Sequence, residues 1–282
     1  PSGYLAPLDG GIPQFYRAYD PAAKRYDFEL QPWPGSVECY ELLAIADPQP
    51  KTEEHFRRLR SEVMPALQAA TDNGRTRGSN QAAIVLGDIV WDSPELFAGH
   101  ELHFITGHTH LNSNYDIREG VTEHNVAQVC GNLWWDPINW DGTPKGFQLF
   151  RECGGEFSWE YRSLGESPAR QIRVWHPGQV AKHPASVVAK VWNWDSYWTV
   201  VWYEDGRYRG AMQRTTLDDP DYTAHIDSLK AAGRKISKVQ RPRPTNFYFT
   251  ARPSASAREV EVVATDRFGR RYSERIALGH TD

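Results

Sequence analysis

The chain of 282 residues, with a formal net charge of −4, is long enough for one large core or two ordinary ones and carries no broad positive footprint for nucleic acid. No stretch is long and apolar enough to cross a bilayer, and the sequence opens at Pro1 without a charged and apolar leader. Three cysteines, Cys39, Cys130 and Cys153, follow no zinc-ligand spacing and allow at most one bridge, which leaves the compartment open.

The first region is rich in Pro, Gly and Tyr, ends in YDFEL, and is too small to fold alone. From Ser36 the pattern changes. Leu42, Leu43, Ala44, Ile45 and Ala46 make an apolar run of the kind buried on both faces of a strand, closed by Asp47. Residues 51–71 place Phe56, Leu59, Val63, Ala66, Leu67 and Ala70 at helical spacing, with Thr52 ahead of Glu53 and Glu54 as the start signal and Pro65 as a kink or stop. A polar turn leads into AAIVLGDIVWD, a second buried strand ending at Gly87 and Asp88. Strand, helix, strand is a βαβ unit with parallel strands, so the two aspartates share the sheet edge where open α/β sheets bind ligands. A third run, LHFIT, leads into GHTH and brings His108 and His110 toward the same edge. Eleven tryptophans, mostly between Trp134 and Trp202, either fill sheet cores, the commoner case, or line a sugar or base pocket. Beyond about Arg170 the pattern is all-β: Trp198, Val200 and Trp202 alternate with Tyr197, Thr199, Val201 and Tyr203 ahead of an Asp205-Gly206 hairpin turn, and Val260 and Val262 precede a turn at Gly269. The basic stretch from Lys230 to Arg243 reads as a solvated connection.

Asp47, Asp88, the carboxamide of Gln49, and His108 with His110 form a mixed oxygen and nitrogen donor set suited to Mn²⁺, Fe²⁺ or Zn²⁺. A carboxylate such as Asp88 can bridge two ions roughly 3.5 to 4 Å apart, the spacing of hydrolytic two-metal centres. Taken singly, each residue is better explained structurally, Asp47 and Asp88 as caps and His110 as bonded to a backbone carbonyl.

Three motifs then carry a resemblance: D-P-Q at 47–49, G-D-I-V-W-D at 87–92 and G-H-T-H at 107–110 resemble the calcineurin-like metallophosphoesterases. PSGYLAPL and PQFYRAYDP near the start, CGNLWWDPINWDGTPKGF at 130–147 and ATDRFGRRYSE at 264–274 resemble a bacterial subgroup. Its members have a small β module before the catalytic domain and a phosphoesterase C-terminal domain after it. The resemblance implies a partial N-terminal module at 1–35, an α/β layered β-sandwich core with flanking helices at 36–166, and an all-β sandwich domain at 167–282. It implies Asp47, Gln49 and His110 on a first metal, Gln49 standing where many relatives have histidine, with Asp88 bridging and His108 serving the second. Asp88 and His108 would be the catalytic pair.

The family's G-N-H followed by Asp or Glu, and its later metal-binding histidine, have no counterpart between Asp92 and His108. Two explanations stay open: sequence omitted between Phe97 and His103, or a protein lacking half its second metal site. In the second case His100, His103, Asn112, Asn114 and His124 are candidate replacements. Trp134, Trp135 and Trp140, close after GHTH, read either as a pocket for the leaving group or as an apolar plug.

The expected function is a metal-dependent phosphoesterase with two divalent ions, acting on a small-molecule or glycan-linked phosphomonoester or phosphodiester. It is expected to work in the periplasm or outside the cell, with no nucleic-acid scaffold. The rival is a non-catalytic glycan- or protein-binding module on a degenerate metallophosphoesterase fold.

Overall fold

The computed structural model describes residues 4–5, 8–9, 12–13, 31–32, 39–46, 52–67, 69–70, 80–86, 102–154 and 156–279. Asp47, Gln49, Asp88 and His100, with the whole connection from 87 to 101, lie outside the described residues. Four two-residue strands come first: β1 (Tyr4–Leu5), β2 (Leu8–Asp9), β3 (Ile12–Pro13) and β4 (Gln31–Pro32), paired antiparallel as β1 with β4 and β2 with β3.

The apolar run forms β5 (Cys39–Ala46), and its side chains alternate between two cores. Leu43 packs with Val63 and Leu67 of the following helix, while Leu42, Ala44 and Ala46 pack with Phe150, Trp159 and Val126. Burial on both faces is what an unbroken apolar strand predicts. Helix α1 (Glu53–Arg58) starts where Thr52 Oγ1 accepts the His55 N–H at 3.2 Å. It then widens into a π turn (Leu59–Val63), Met64 N–H bonding Leu59 O, and continues through 64–67. The helix therefore runs past Pro65 instead of stopping there. Proline has no N–H and crowds the carbonyl four residues back, and a wider turn just ahead of it relieves both conflicts.

β6 (Asn80–Leu86) lies parallel to β5, from Tyr40 opposite Asn80 to Ala46 opposite Leu86, completing the βαβ unit. β7 (Leu102–Thr106), β8 (Ser113–Arg118) and β9 (Val121–Asn125) form a separate sheet in which β9 is parallel to β7 and antiparallel to β8. The hairpin of β10 (Gly146–Cys153) and β11 (Glu156–Ser163) joins the free edge of β5, giving the order β11-β10-β5-β6. Cys153, opposite Cys39 in that register, is disulfide-bonded, whereas Cys130 is a buried thiol that donates to Gln128 Oε1 at 3.4 Å.

The rest of the chain is a sandwich of two four-stranded antiparallel sheets. β12 (Ile172–Trp175), β13 (Val187–Val191), β14 (Thr199–Glu204), β15 (Arg207–Ala211) and β16 (Gln213–Leu217) come first in the chain. After helix α2 (Pro220–Ala231) follow β17 (Thr245–Ala251), β18 (Glu259–Thr265) and β19 (Arg271–Ala277). One sheet runs β12-β13-β17-β16 and the other β15-β14-β18-β19. Val191, Trp198, Val200, Trp202, Val260 and Val262 belong to the core between them. Asp205 and Gly206, at φ of 48° and 75°, make the hairpin turn between β14 and β15. The described chain is thus mostly β-sheet with few helices.

Between β9 and β10 the loop 126–145 is buried for most of its length, because its polar groups are matched by the sandwich. The Asp219 carboxylate caps α2 through the Tyr222 N–H at 2.8 Å and accepts the Tyr248 hydroxyl at 2.8 Å. Buried Lys190 donates to the Asp141 carbonyl, and Asp141 Oδ2 accepts the Asn112 N–H at 3.1 Å. Gly142, at φ 80°, lies so close that an added Cβ would overlap the Asp219 carboxylate. Gly142→Ala is therefore expected to lower unfolding free energy by about 3 kcal/mol, from left-handed strain plus overpacking. A chemical denaturation curve reads this directly, and an unchanged midpoint would contradict it.

Candidate functional site

The carboxyl ends of three strands meet through backbone hydrogen bonds. Ala46 and Leu86 end β5 and β6 side by side. Ala46 also bridges Gln128, with Val129 N–H donating to Ala46 O at 3.1 Å. Three residues earlier, Val126 N–H donates to Thr106 O at 2.9 Å, the last residue of β7. Residues 126–129 therefore lace the end of β7 to the end of β5. Asp47 follows the first of these ends and Asp88 comes two residues after Leu86.

Beyond Thr106 the GHTH turn holds both histidines in the left-handed region, His108 at φ 70° and His110 at φ 60°. A non-glycine residue adopts that conformation only when its surroundings impose it. Asn125 supplies the constraint: its Nδ2 donates to Thr106 Oγ1 at 3.0 Å and to Gly107 O at 3.1 Å, and its Oδ1 accepts the Thr109 hydroxyl at 2.6 Å. The two imidazole rings stand 6.3 Å apart, edge to face, with His108 exposed and His110 half-buried against Trp140 at 5.5 Å. Asn125 was not singled out by the sequence, where no spacing distinguishes it from a solvated asparagine.

Among the described residues no group of three or more His, Cys, Asp or Glu is placed to hold a cation. Three of the five expected ligands lie outside those residues. His103, Asn112, Asn114 and His124, considered as replacement ligands, take part in a chain of hydrogen bonds toward the sandwich. Asn114 donates from Nδ2 to Asn193 O at 3.1 Å, which leaves its Oδ1 to accept His124 Nδ1–H at 2.8 Å. His124 Nε2 is then the acceptor for His103 Nδ1–H at 2.9 Å. Asn112 donates to Trp192 O at 2.9 Å.

Burial, with the nearby His103 and Arg267 adding to it, holds the His124 imidazole well below the usual histidine range. A histidine depressed in the folded state stays neutral there while the unfolded chain takes up its proton. Its linked stability is complete above about pH 6.5 and falls by up to about 1.4 kcal/mol per pH unit below it. His124→Gln should flatten that slope in melting curves between neutral pH and pH 5, and an equal slope in both proteins would refute the assignment.

The three expected binding tryptophans differ in setting. Trp134 is in the core with Leu43, Val63 and Phe147, its carbonyl accepting Arg58 Nη1 at 2.8 Å and its ring under the Arg58 guanidinium at 5.1 Å. Trp140 packs on Tyr222 and Ile226 of α2, with the Arg243 guanidinium 4.8 Å from its ring. Trp135 is exposed and, with Trp134, lines a cleft of about 490 Å³.

The basic stretch after α2 forms the other wall of this cleft and is more than a solvated connection. Ile236 and Val239 pack beside Trp140, and Gln240 is buried. Asn132 Nδ2 donates to Val239 O at 3.1 Å, so apolar side chains and main-chain acceptors anchor a segment whose charges face water.

A family model described as the C terminal of calcineurin-like phosphoesterase matches residues 123–272, taking in β9, the tryptophan loop, β10, β11 and most of the sandwich. No curated protein matches the chain.

Proposed function

Because the chain belongs to the calcineurin-like phosphoesterases, the family's C-terminal model matching more than half of it, we propose that it is a metal-dependent phosphoric ester hydrolase with a dinuclear centre. The observation that supports this reading is the lacing of the β5 and β7 ends by residues 126–129, with the β6 end paired beside β5, just where Asp47, Asp88, His108 and His110 follow in the sequence. The donor set fits hard or borderline divalent ions such as Mn²⁺, Fe²⁺ or Zn²⁺. Asp47, Gln49 and His110 would hold one ion and His108 the other, with Asp88 between them. When bound, such ions polarise a phosphoryl oxygen and lower the pKa of water toward neutrality.

The protein's own part is positioning. Asn125 keeps His108 and His110 in one fixed turn, and Trp140 restricts the His110 ring. The two sheets around β5, with α1 on one face, would be the layered core of residues 36–166, following a small module at 1–35 and preceding the sandwich domain at 167–282. The substrate would be a small-molecule or glycan-linked phosphomonoester or phosphodiester. Bacterial export fits the disulfide of Cys153, since such bonds persist in oxidising compartments. No helix among the described residues is long and apolar enough to cross a membrane.

Elemental analysis of purified protein loaded with Mn²⁺ is expected to give about two ions per chain, with turnover of aryl phosphate esters that a chelator abolishes. One feature favours the other reading, a glycan- or protein-binding module: the missing G-N-H segment between Asp92 and His108. No bound metal and no turnover, with carbohydrate binding retained, would replace the hydrolase by that module.

A further inference from the structure

Trp135 is the one exposed tryptophan among the described residues, at 51%, although such large rings are mostly buried. It lines the 490 Å³ cleft, a volume inside the range of about 300 to 1,000 Å³ typical of small-molecule sites. Trp134, Leu229 and Ile236 give the cleft an apolar lining, Arg234 and Lys235 line it from the segment after α2, and no acidic side chain among the described residues lines it. Neither cation forms a salt bridge with a described residue.

The walls are fixed before any ligand arrives. Gly131, Leu133 and Trp134 have φ of 55°, 61° and 68°, a left-handed run that costs about 1 to 2 kcal/mol at each non-glycine position. Side chains hold it: Gln128 Oε1 accepts the Leu133 N–H at 3.2 Å, and Asn132 Nδ2 donates to Asp136 Oδ2 at 2.7 Å. On the facing wall Gln240 donates to Asp136 Oδ1 at 3.1 Å and accepts the Ser237 N–H at 3.2 Å. One buried carboxylate thus ties both walls together. Strained backbone kept in place beside a cleft is the arrangement expected of a preorganised binding site.

We propose that the cleft between Trp135 and the Arg234–Lys235 pair binds a small anionic ligand carrying a planar ring. The ring stacks on the Trp135 indole, and the anionic group takes the two otherwise solvated cations. Binding here requires no metal, so it stands or falls separately from hydrolysis.

The probe is naphthalenesulfonate, which is not a phosphate ester, titrated into the full chain in the presence of chelator and followed by calorimetry and tryptophan fluorescence. Saturable binding with quenching is expected. Naphthol alone and sulfate alone should bind at least about tenfold more weakly, since each lacks one of the two contacts. Trp135→Ala, and Arg234→Ala combined with Lys235→Ala, should each weaken the probe by about tenfold or more at unchanged melting temperature. Tyr208→Ala, at an exposed ring on β15, should leave it unchanged, and so should Asp88→Asn. Undetectable binding, equal affinity for naphthol, or affinity unaffected by both cleft variants would overturn the site. Loss of turnover in Asp88→Asn with probe binding intact would separate the cleft from the metal chemistry.

Discussion

Asp88→Asn is expected to lower turnover of aryl phosphate esters by about a thousandfold while leaving the melting temperature nearly unchanged. Asparagine keeps the size and shape of the side chain but offers one neutral oxygen in place of two charged ones. A bridging position needs both, because two divalent cations held roughly 3.5 to 4 Å apart repel each other unless a negative group lies between them. Loss of one stabilising contact to transition-state charge costs about a hundred- to a thousandfold, and the upper end applies when metal occupancy falls as well. Elemental analysis of the variant should accordingly show fewer ions per chain than wild type. The prediction rests on β6 ending at Leu86, in register with Ala46, two residues before Asp88. Undiminished turnover in Asp88→Asn would remove the dinuclear proposal even if the protein proves to hydrolyse phosphate esters by another route.

The strands that surround this region were legible because their information is local. In β5 Leu43 faces one apolar cluster and Leu42, Ala44 and Ala46 another, as the unbroken apolar run suggested for a strand buried on both faces. The Asp205-Gly206 turn was equally legible, since few residue pairs accept two consecutive positive φ values. The loop CGNLWWDPINWDGTPKGF was not. Its aspartates look like turn formers in the sequence, yet Asp136 is satisfied by side chains 86 to 104 positions away, and Asp141 meets Asn112, Lys190 and Tyr248. Nothing periodic marks such partners. Trp134 and Trp135 show the same limit, for neighbouring positions in one sequence pattern become a core residue and an exposed ring only through the left-handed turn that separates their directions. The proposed metal ligands stand between these cases. Their strand ends could be read from apolar runs, but the clamp on GHTH could not, because Asn125 acts from a strand that reads as unremarkable polar sequence.

Asp136→Ala should lower the unfolding free energy by about 4 to 5 kcal/mol, a loss comparable to breaking a buried ion pair. The Asp136 side chain is fully buried and accepts four hydrogen bonds: from Asn132 Nδ2 at 2.7 Å, Tyr222 OH at 2.8 Å, His225 Nε2 at 2.9 Å and Gln240 Nε2 at 3.1 Å. Burial and the bond to Asp136 push the Tyr222 phenol far above its usual range, so it stays a donor at every physiological pH. Alanine leaves these donors facing a cavity, although Asn132 and Tyr222 keep their mutual contact at 2.7 Å. Asp136→Asn should cost about 2 kcal/mol, because its amide retains one acceptor and turns a donor toward donors. Thermal melts should show a fall of about 10 °C or more for the alanine variant and a smaller one for asparagine. Unchanged melting in Asp136→Ala would mean that water replaces the carboxylate without loss, contrary to its complete burial. The same carboxylate joins the tryptophan loop, α2 and the basic segment, so Asp136→Asn should also weaken naphthalenesulfonate binding at temperatures where the protein is still folded. A variant that melts early yet binds the probe as tightly as wild type would assign Asp136 to stability alone and leave the cleft walls held by Gln128 and Asn132.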